Sequence, residues 1–215
     1  MVLLDMMLTT LRVACLLNSV TASMEAGEVP APTTTVDPFP IIPRRDWGAR
    51  PPKEPPQPLV EVPTPYVVIH HTFIPKYCNS TEECVLAMRE MQRFHQDDRG
   101  WNDIGYNFCI GGEGRIMEGR GWDAVGAHAP KYNTRSIGIC LIGDFTASMP
   151  DAGMLEAAHH LIARGIDMGK ISANYTLLGH RQVRDTECPG QTLYQAIQAW
   201  PHWGQPDPND KKPKA

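Results

Sequence analysis

The sequence has no strong excess of either charge. Its 20 Lys and Arg against 24 Asp and Glu leave −4 over 215 residues. That balance offers no basic field to a nucleic acid, and no Lys/Arg cluster occurs outside the tail Lys211-Lys212-Pro213-Lys214. Long apolar runs are also scarce. A membrane-crossing helix needs roughly 18 apolar residues, and only Met6 to Ala22, interrupted by Arg12, comes close. That stretch is short for a span and reads as a secretory leader, residues 1–22, with small Ala22 and Ser23 at the expected cleavage site. Two catalytic signatures are missing as well. Gly111-Gly112-Glu113-Gly114 is followed by no Gly-Lys-Ser/Thr and opens a strand rather than a helix, which excludes a phosphate loop. No His-Glu-x-x-His occurs, which excludes a glutamate base of the zincin kind.

The composition is that of a globular protein, 42% hydrophobic and 20% charged, and its length suits one domain with extensions. Residues 24–45 are rich in Pro and Thr without periodicity and read as a linker or extended arm. With Cys15 inside the leader, five cysteines remain. Cys78 and Cys84 flank a polar turn leading into a helix, a spacing that can close a small disulfide loop. Cys109 and Cys140 sit in apolar runs, where a buried thiol behaves as a small hydrophobe, although cysteines on neighbouring strands can also pair.

Periodicity predicts alternating strands and helices. Val67-Val68-Ile69-His70 reads as a buried strand after a proline-rich entry in which Trp47 is a packing anchor. Ser80 or Thr81 can cap a helix whose face carries Cys84, Val85, Ala87, Met88, Met91, Phe94 and His95, with Gly100 past its end. Tyr106 to Ile110 and Arg115 to Glu118 form a hairpin around the glycine patch. Ser136 to Ile142, nearly all apolar, reads as a central strand. Met154 to Lys170 is a second helix, Tyr175 to Leu178 a further strand and Thr192 to Trp200 a last helix. The expected architecture is α/β (α+β), a mixed central sheet flanked by about three helices.

Chemistry concentrates in Gly179-His180-Arg181-Gln182-Val183-Arg184-Asp185-Thr186-Glu187-Cys188-Pro189-Gly190, a stretch that reads as loop. An imidazole and a thiolate are both favoured zinc ligands, but two are too few for a structural site. The pair His70-His71, closing the apolar run Val67-Val68-Ile69, is the best source of the third ligand. Two His and one Cys would leave a fourth position open to water, which distinguishes catalytic from structural zinc. Both histidines lie at strand ends, where sites on α/β sheets form.

Several segments, in order, together resemble the peptidoglycan recognition proteins and, more distantly, bacteriophage-type zinc N-acetylmuramoyl-L-alanine amidases. They are Arg-Asp-Trp-Gly-Ala-Arg at 45–50, Val-Ile-His-His-Thr at 68–72, Gly-Trp-Asn-Asp-Ile-Gly-Tyr-Asn-Phe at 100–108 and Gly-Arg-Gly-Trp at 119–122. Gly-Ala-His-Ala at 126–129, Ser-Ile-Gly-Ile-Cys-Leu-Ile-Gly-Asp-Phe at 136–145, Gly-His-Arg at 179–181 and Cys-Pro-Gly at 188–190 complete the set. The resemblance spans roughly 40–203, which leaves 23–39 as a disordered Pro/Thr-rich segment and 204–215 as a disordered tail.

What the resemblance implies is specific. Zinc would be held by His70, His180 and Cys188, with Tyr106 and Thr186 as catalytic groups. Thr186 stands where other members carry Lys or Thr. Peptidoglycan would be the partner, with His128 bordering its groove. Gly100, Trp101 and Arg120 match members that prefer diaminopimelic-acid stems, because an arginine fork can take the extra carboxylate that a lysine stem lacks. His71 should face the opposite side of its strand, because side chains alternate. His95 reads as a core histidine, and His159 and His160 as ordinary helix residues. A secreted monomer acting in innate immunity is expected, with sequons at Asn79 and Asn174 relevant to that location.

Three function classes compete. The first is a zinc amidase that cleaves peptidoglycan. The second is a receptor or bactericidal protein that binds it without cleavage. The third is a Cys-His hydrolase with Cys188 as nucleophile and His180 or His70 as base. Retention of all five catalytic and ligand positions favours the first.

Overall fold

The structure is a computed structural model that describes residues 37–209. The expected leader, Cys15, most of the Pro/Thr arm and the basic tail lie outside those residues. The chain forms β1 (Ile41–Ile42), β2 (Thr64–His71), α1 (Thr81–Arg93), β3 (Phe108–Gly111), β4 (Arg115–Glu118) and β5 (Ser136–Leu141). Then follow α2 (Ala152–Asp167), β6 (Ile171–Gly179), α3 (His180–Val183) and α4 (Gln191–Ile197).

The sheet runs β1-β4-β3-β5-β2-β6. The β3–β4 hairpin is antiparallel, and every other neighbouring pair is parallel. The mixed sheet and the central position of β5 match the expectation. Between β3 and β4 the glycine patch makes a 3₁₀ turn, Gly112–Gly114.

Alternation along β2 decides which side chains go where. Val67 and Ile69 point into the larger core with Phe108, Ile110, Ile137, Ile139 and Leu141. The stripe Met154, Ala157, Ala158, Leu161 and Ile162 of α2 closes that side. The opposite face carries Cys109, Met117 and Cys140 against Cys84, Ala87, Met88 and Met91 of α1. His70 belongs to the α1 side, because it stands in register with Cys140 of β5. Trp47 is fully buried in the same cluster, its indole N–H donating to Glu118 O at 2.8 Å.

Local chemistry fixes the helix starts. Ser80 Oγ accepts from Glu83 N at 3.2 Å and Asp151 Oδ1 from Met154 N at 2.8 Å, satisfying amides that a first turn leaves unpaired. A disulfide joins Cys78 and Cys84 across the entry to α1. Cys109 and Cys140 are free, buried and opposite one another in β3 and β5.

Two details differ from the sequence reading. The segment after Gly179 is not loop: His180 opens the single turn α3, where Gln182 Oε1 accepts from Gly179 N at 2.8 Å. The helix total among the described residues is therefore four. Asp37 pairs with His160 and Arg164 of α2, and Gly204 bonds to Leu177 of β6 and to Gln182.

Candidate metal centre and groove

Three ligand-type side chains converge at one end of the sheet. One nitrogen each from His70 and His180 and the sulfur of Cys188 lie within 4.8 Å of one another. His70 is the last residue but one of β2, and His180 follows β6, the strand paired with β2. Cys188 is brought back by its loop. Its carbonyl accepts from Arg181 N at 2.9 Å, and its own N–H donates to Thr186 Oγ1 at 3.3 Å. Arg181 further clamps the loop through Glu187 O and Gln191 Oε1.

Cys188 Sγ stands 3.8 Å from His70 Nδ1 and accepts from His71 N at 3.4 Å. In a tetrahedral zinc site, ligand atoms 2.0–2.3 Å from the ion lie about 3.3–3.6 Å apart. The Cys188–His70 pair needs only a small contraction, and the full set, within 4.8 Å, must close further around an ion. Both ring nitrogens of His180 are buried without a hydrogen-bond partner among the described residues. A pair of orphaned nitrogens is costly unless something binds them. Burial pushes His70 well down and His180 to about 4, the latter also by the charges of Arg184 and His71, so both imidazoles are neutral and able to ligate. Burial pushes the Cys188 thiol up to about 12, partly opposed by the His71 N–H and Arg181. The N₂S donor set with an open position fits a zinc ion.

The other nitrogen of His70, Nε2, lies 3.0 Å from Nδ1 of His128. The His128 ring occupies space that two glycines leave open. A Cβ at Gly138 would stand 2.4 Å from its Cδ2, and one at Gly126 2.3 Å away. Asn107 joins the same two segments, accepting from Gly138 N and donating to Gly121 O and Ala124 O. His71 faces the other side of β2, where its Nδ1 accepts from Phe145 N.

An open groove of about 910 Å³ leads away from this centre. Tyr106, His128 and His180 line its metal end, and Thr72, Ile74, Phe94, His95, Arg99 and Trp101 line more of its walls. Tyr106 has its ring 5.2 Å from that of His70, and burial holds its hydroxyl protonated far above the usual range. Gly100 has φ +69° with nothing within 4 Å of an added Cβ, so it serves the turn into Trp101 rather than a close approach.

Trp101 stacks on His95 at 4.6 Å and 19°. His95 is buried, yet it lines the groove, while its Nδ1 accepts from Gly105 N at 3.1 Å. It therefore faces the groove as well as the core. Arg120 lies behind Trp101 in an adjoining depression of about 390 Å³. Its guanidinium donates to Ile104 O at 2.6 Å, Val125 O at 2.8 Å and Asp103 O at 3.4 Å. With five N–H groups in the fork, two are left. Thr186 is not among the groove-lining residues; its oxygen accepts from Cys188 N.

Residues 61–191 match the N-acetylmuramoyl-L-alanine amidase family. Peptidoglycan-recognition protein LB of Drosophila melanogaster is 55% identical over 163 residues, 76% of this chain and 69% of that protein. An N-acetylmuramoyl-L-alanine amidase of Sus scrofa is 42% identical over 165 residues, 76% of this chain but only 27% of that protein. The solved complex of peptidoglycan recognition protein-LE with tracheal cytotoxin, a monomeric diaminopimelic acid-type peptidoglycan, superposes with TM-score 0.75. It is 47% identical, covering 77% of this chain and 96% of that one. The chain belongs to the N-acetylmuramoyl-L-alanine amidase family, among its peptidoglycan-recognition proteins. Among the described residues no helix is long and apolar enough to cross a membrane.

Proposed function

We propose that the protein is a zinc-dependent N-acetylmuramoyl-L-alanine amidase acting on bacterial peptidoglycan in innate immunity. The bond cut is the amide between the lactyl group of N-acetylmuramic acid and the first L-alanine of the stem. One observation carries the reading: two neutral imidazoles and a thiol converge within 4.8 Å at the end of an open groove. His70, His180 and Cys188 would hold the ion. Zinc bound there supplies Lewis acidity toward the scissile carbonyl and a lowered pKa for water.

The chain's own groups supply the rest. His128 holds the far nitrogen of His70, fixing its tautomer and the direction of Nδ1. Tyr106 keeps its proton and donates it as a hydrogen bond to the oxygen that becomes negative. Thr186 uses its oxygen to accept from Cys188 N, leaving its O–H free to donate. Trp101, set by Gly100 and stacked on His95, forms part of the wall against which the stem peptide lies. Arg120, with two N–H groups left, favours a diaminopimelate carboxylate over a lysine stem. The complex of the LE relative with diaminopimelic acid-type peptidoglycan supports that preference. Extracellular action fits the Cys78–Cys84 disulfide, which persists in oxidising surroundings.

A thiol-hydrolase mechanism is disfavoured. A nucleophilic cysteine needs a depressed pKa, whereas burial raises that of Cys188 to about 12. The recognition-protein name of the relatives supports a second reading, binding without hydrolysis. Mass spectrometry of digested diaminopimelate-type peptidoglycan separates the two. Free stem peptides with a new L-alanine amino terminus support the amidase, and intact muropeptides recovered from a tight complex support the binder.

A further inference from the structure

Among the arginines that line the groove, one has a guanidinium that its described surroundings do not use. The lining holds three arginines and one carboxylate, Glu90. Arg93 is paired with Asp98 at 3.2 Å, and Arg99 lies over the Phe94 ring at 5.1 Å. Arg184 differs from both: among the described residues its guanidinium has no hydrogen-bond, ion-pair or ring partner, although the residue is half-buried. Its backbone is held, because its N–H donates to His180 O at 3.0 Å and closes α3. Arg181, three residues earlier, has its guanidinium consumed by the Cys188 loop. Arg184 is thus an unpaired cation one helical turn from a candidate metal ligand, lining the same groove.

We infer that Arg184 is a specificity-determining residue that binds the free α-carboxylate of the second stem residue. The inference rests on the amidase reading of the groove. Around the scissile amide the sugar and lactyl group are neutral, so the nearest anion a stem peptide can offer is a carboxylate. The second residue is a D-glutamate joined through its side-chain carboxyl, and its α-carboxyl is either free or amidated. An extended chain advances about 3.3–3.6 Å per residue. A group two residues from the scissile bond therefore lies about 7 Å along the groove, within reach of a side chain beside His180. The third-residue carboxylate lies farther out and is assigned to Arg120. A free carboxylate accepts a charge-assisted, bidentate pair from Arg184, whereas a carboxamide leaves that guanidinium unneutralised.

The test compares three muropeptides: a diaminopimelate stem with the second carboxylate free, the same stem amidated there, and a lysine stem with that carboxylate free. Dissociation constants come from calorimetry and kcat/KM from stem release, for wild type, Arg184→Gln and Arg184→Lys. Wild type should prefer the free over the amidated stem by about tenfold, mostly in KM and Kd. Arg184→Gln should abolish that preference while keeping the diaminopimelate-over-lysine ratio, and Arg184→Lys should restore part of it. An unchanged free-to-amidated ratio in Arg184→Gln, with the melting temperature kept, overturns the assignment. A change confined to the diaminopimelate-to-lysine ratio overturns it too, by moving Arg184 to the third residue. Wild type that binds none of the three overturns the reading of the groove itself.

Discussion

The sulfur of Cys188 lies 3.8 Å from Nδ1 of His70, although the two residues are 118 positions apart in the chain. The two histidines of the centre are already neutral in the metal-free protein, while the cysteine is still a thiol, held up to about 12 by burial. Loading zinc near neutral pH therefore releases one proton, that of Cys188. The logarithm of the apparent zinc affinity should rise with a slope of about one per pH unit between pH 6 and 8. Competition with a chromophoric chelator measures it, and a slope near zero or above two would contradict this donor set.

His128 and His70 are coupled through a contact that depends on missing side-chain atoms. Gly138→Ala places a Cβ 2.4 Å from the His128 ring and should displace it from His70. We expect zinc affinity to fall about 10- to 100-fold, as for loss of a partner that orients a ligand. His128→Ala should do the same. Equal zinc affinity in all three proteins would show that His128 does not orient the ligand.

Tyr106→Phe tests the hydroxyl alone. It should keep bound zinc and muropeptide affinity while kcat falls about a hundredfold, the usual scale for one oxyanion donor. A KM effect with kcat unchanged would assign Tyr106 to binding instead.

Acid should destabilise the metal-free protein. Burial lowers His71, His95 and His180 to about 4, His128 to about 3, and His70 as well. These folded-state values lie below the unfolded value of about 6.5. The unfolded chain then binds more protons as pH falls from about 6.5 toward 4, so stability present above pH 6.5 is lost across that window. Denaturant midpoints at pH 7.5 and 5 should show a large drop that zinc at neutral pH does not mimic. A flat profile would mean these histidines are not held neutral.

Reducing the Cys78–Cys84 bridge frees a short loop and should cost about 2 kcal/mol by loop-closure entropy. Cys84→Ala should melt several degrees lower and keep its specific activity below that temperature. Loss of activity without loss of stability would tie the loop to the groove directly.

Ligand chemistry made His70, His180 and Cys188 readable in sequence, because imidazole and thiolate at strand ends have few other combined uses. The mixed sheet was readable from apolar strand runs. The turn α3 was not, since four residues cannot display a helical period. His95 was read only as core. It falls on the apolar face of the helical pattern, but α1 ends at Arg93 and His95 lies in a π-turn, Phe94–Asp98, which breaks the 3.6-residue period behind that reading. The pairing of His128 with His70 depends on the gaps left by Gly126 and Gly138, which no local pattern announces. In the sequence Arg120 reads as a fork for a carboxylate, and three of its donors hold backbone carbonyls that only the folded chain brings near.

The central claim is that this centre cuts peptidoglycan through a metal held by Cys188. The most direct measurement is release of free stem peptide from diaminopimelate-type peptidoglycan by the wild-type protein, with zinc, after chelation, after zinc is restored, and in Cys188→Ala. The account predicts activity with zinc, none after chelation, full recovery on adding zinc back, and none in the variant. Cleavage that survives chelation, or tight binding with no cleavage under any of these conditions, would contradict it.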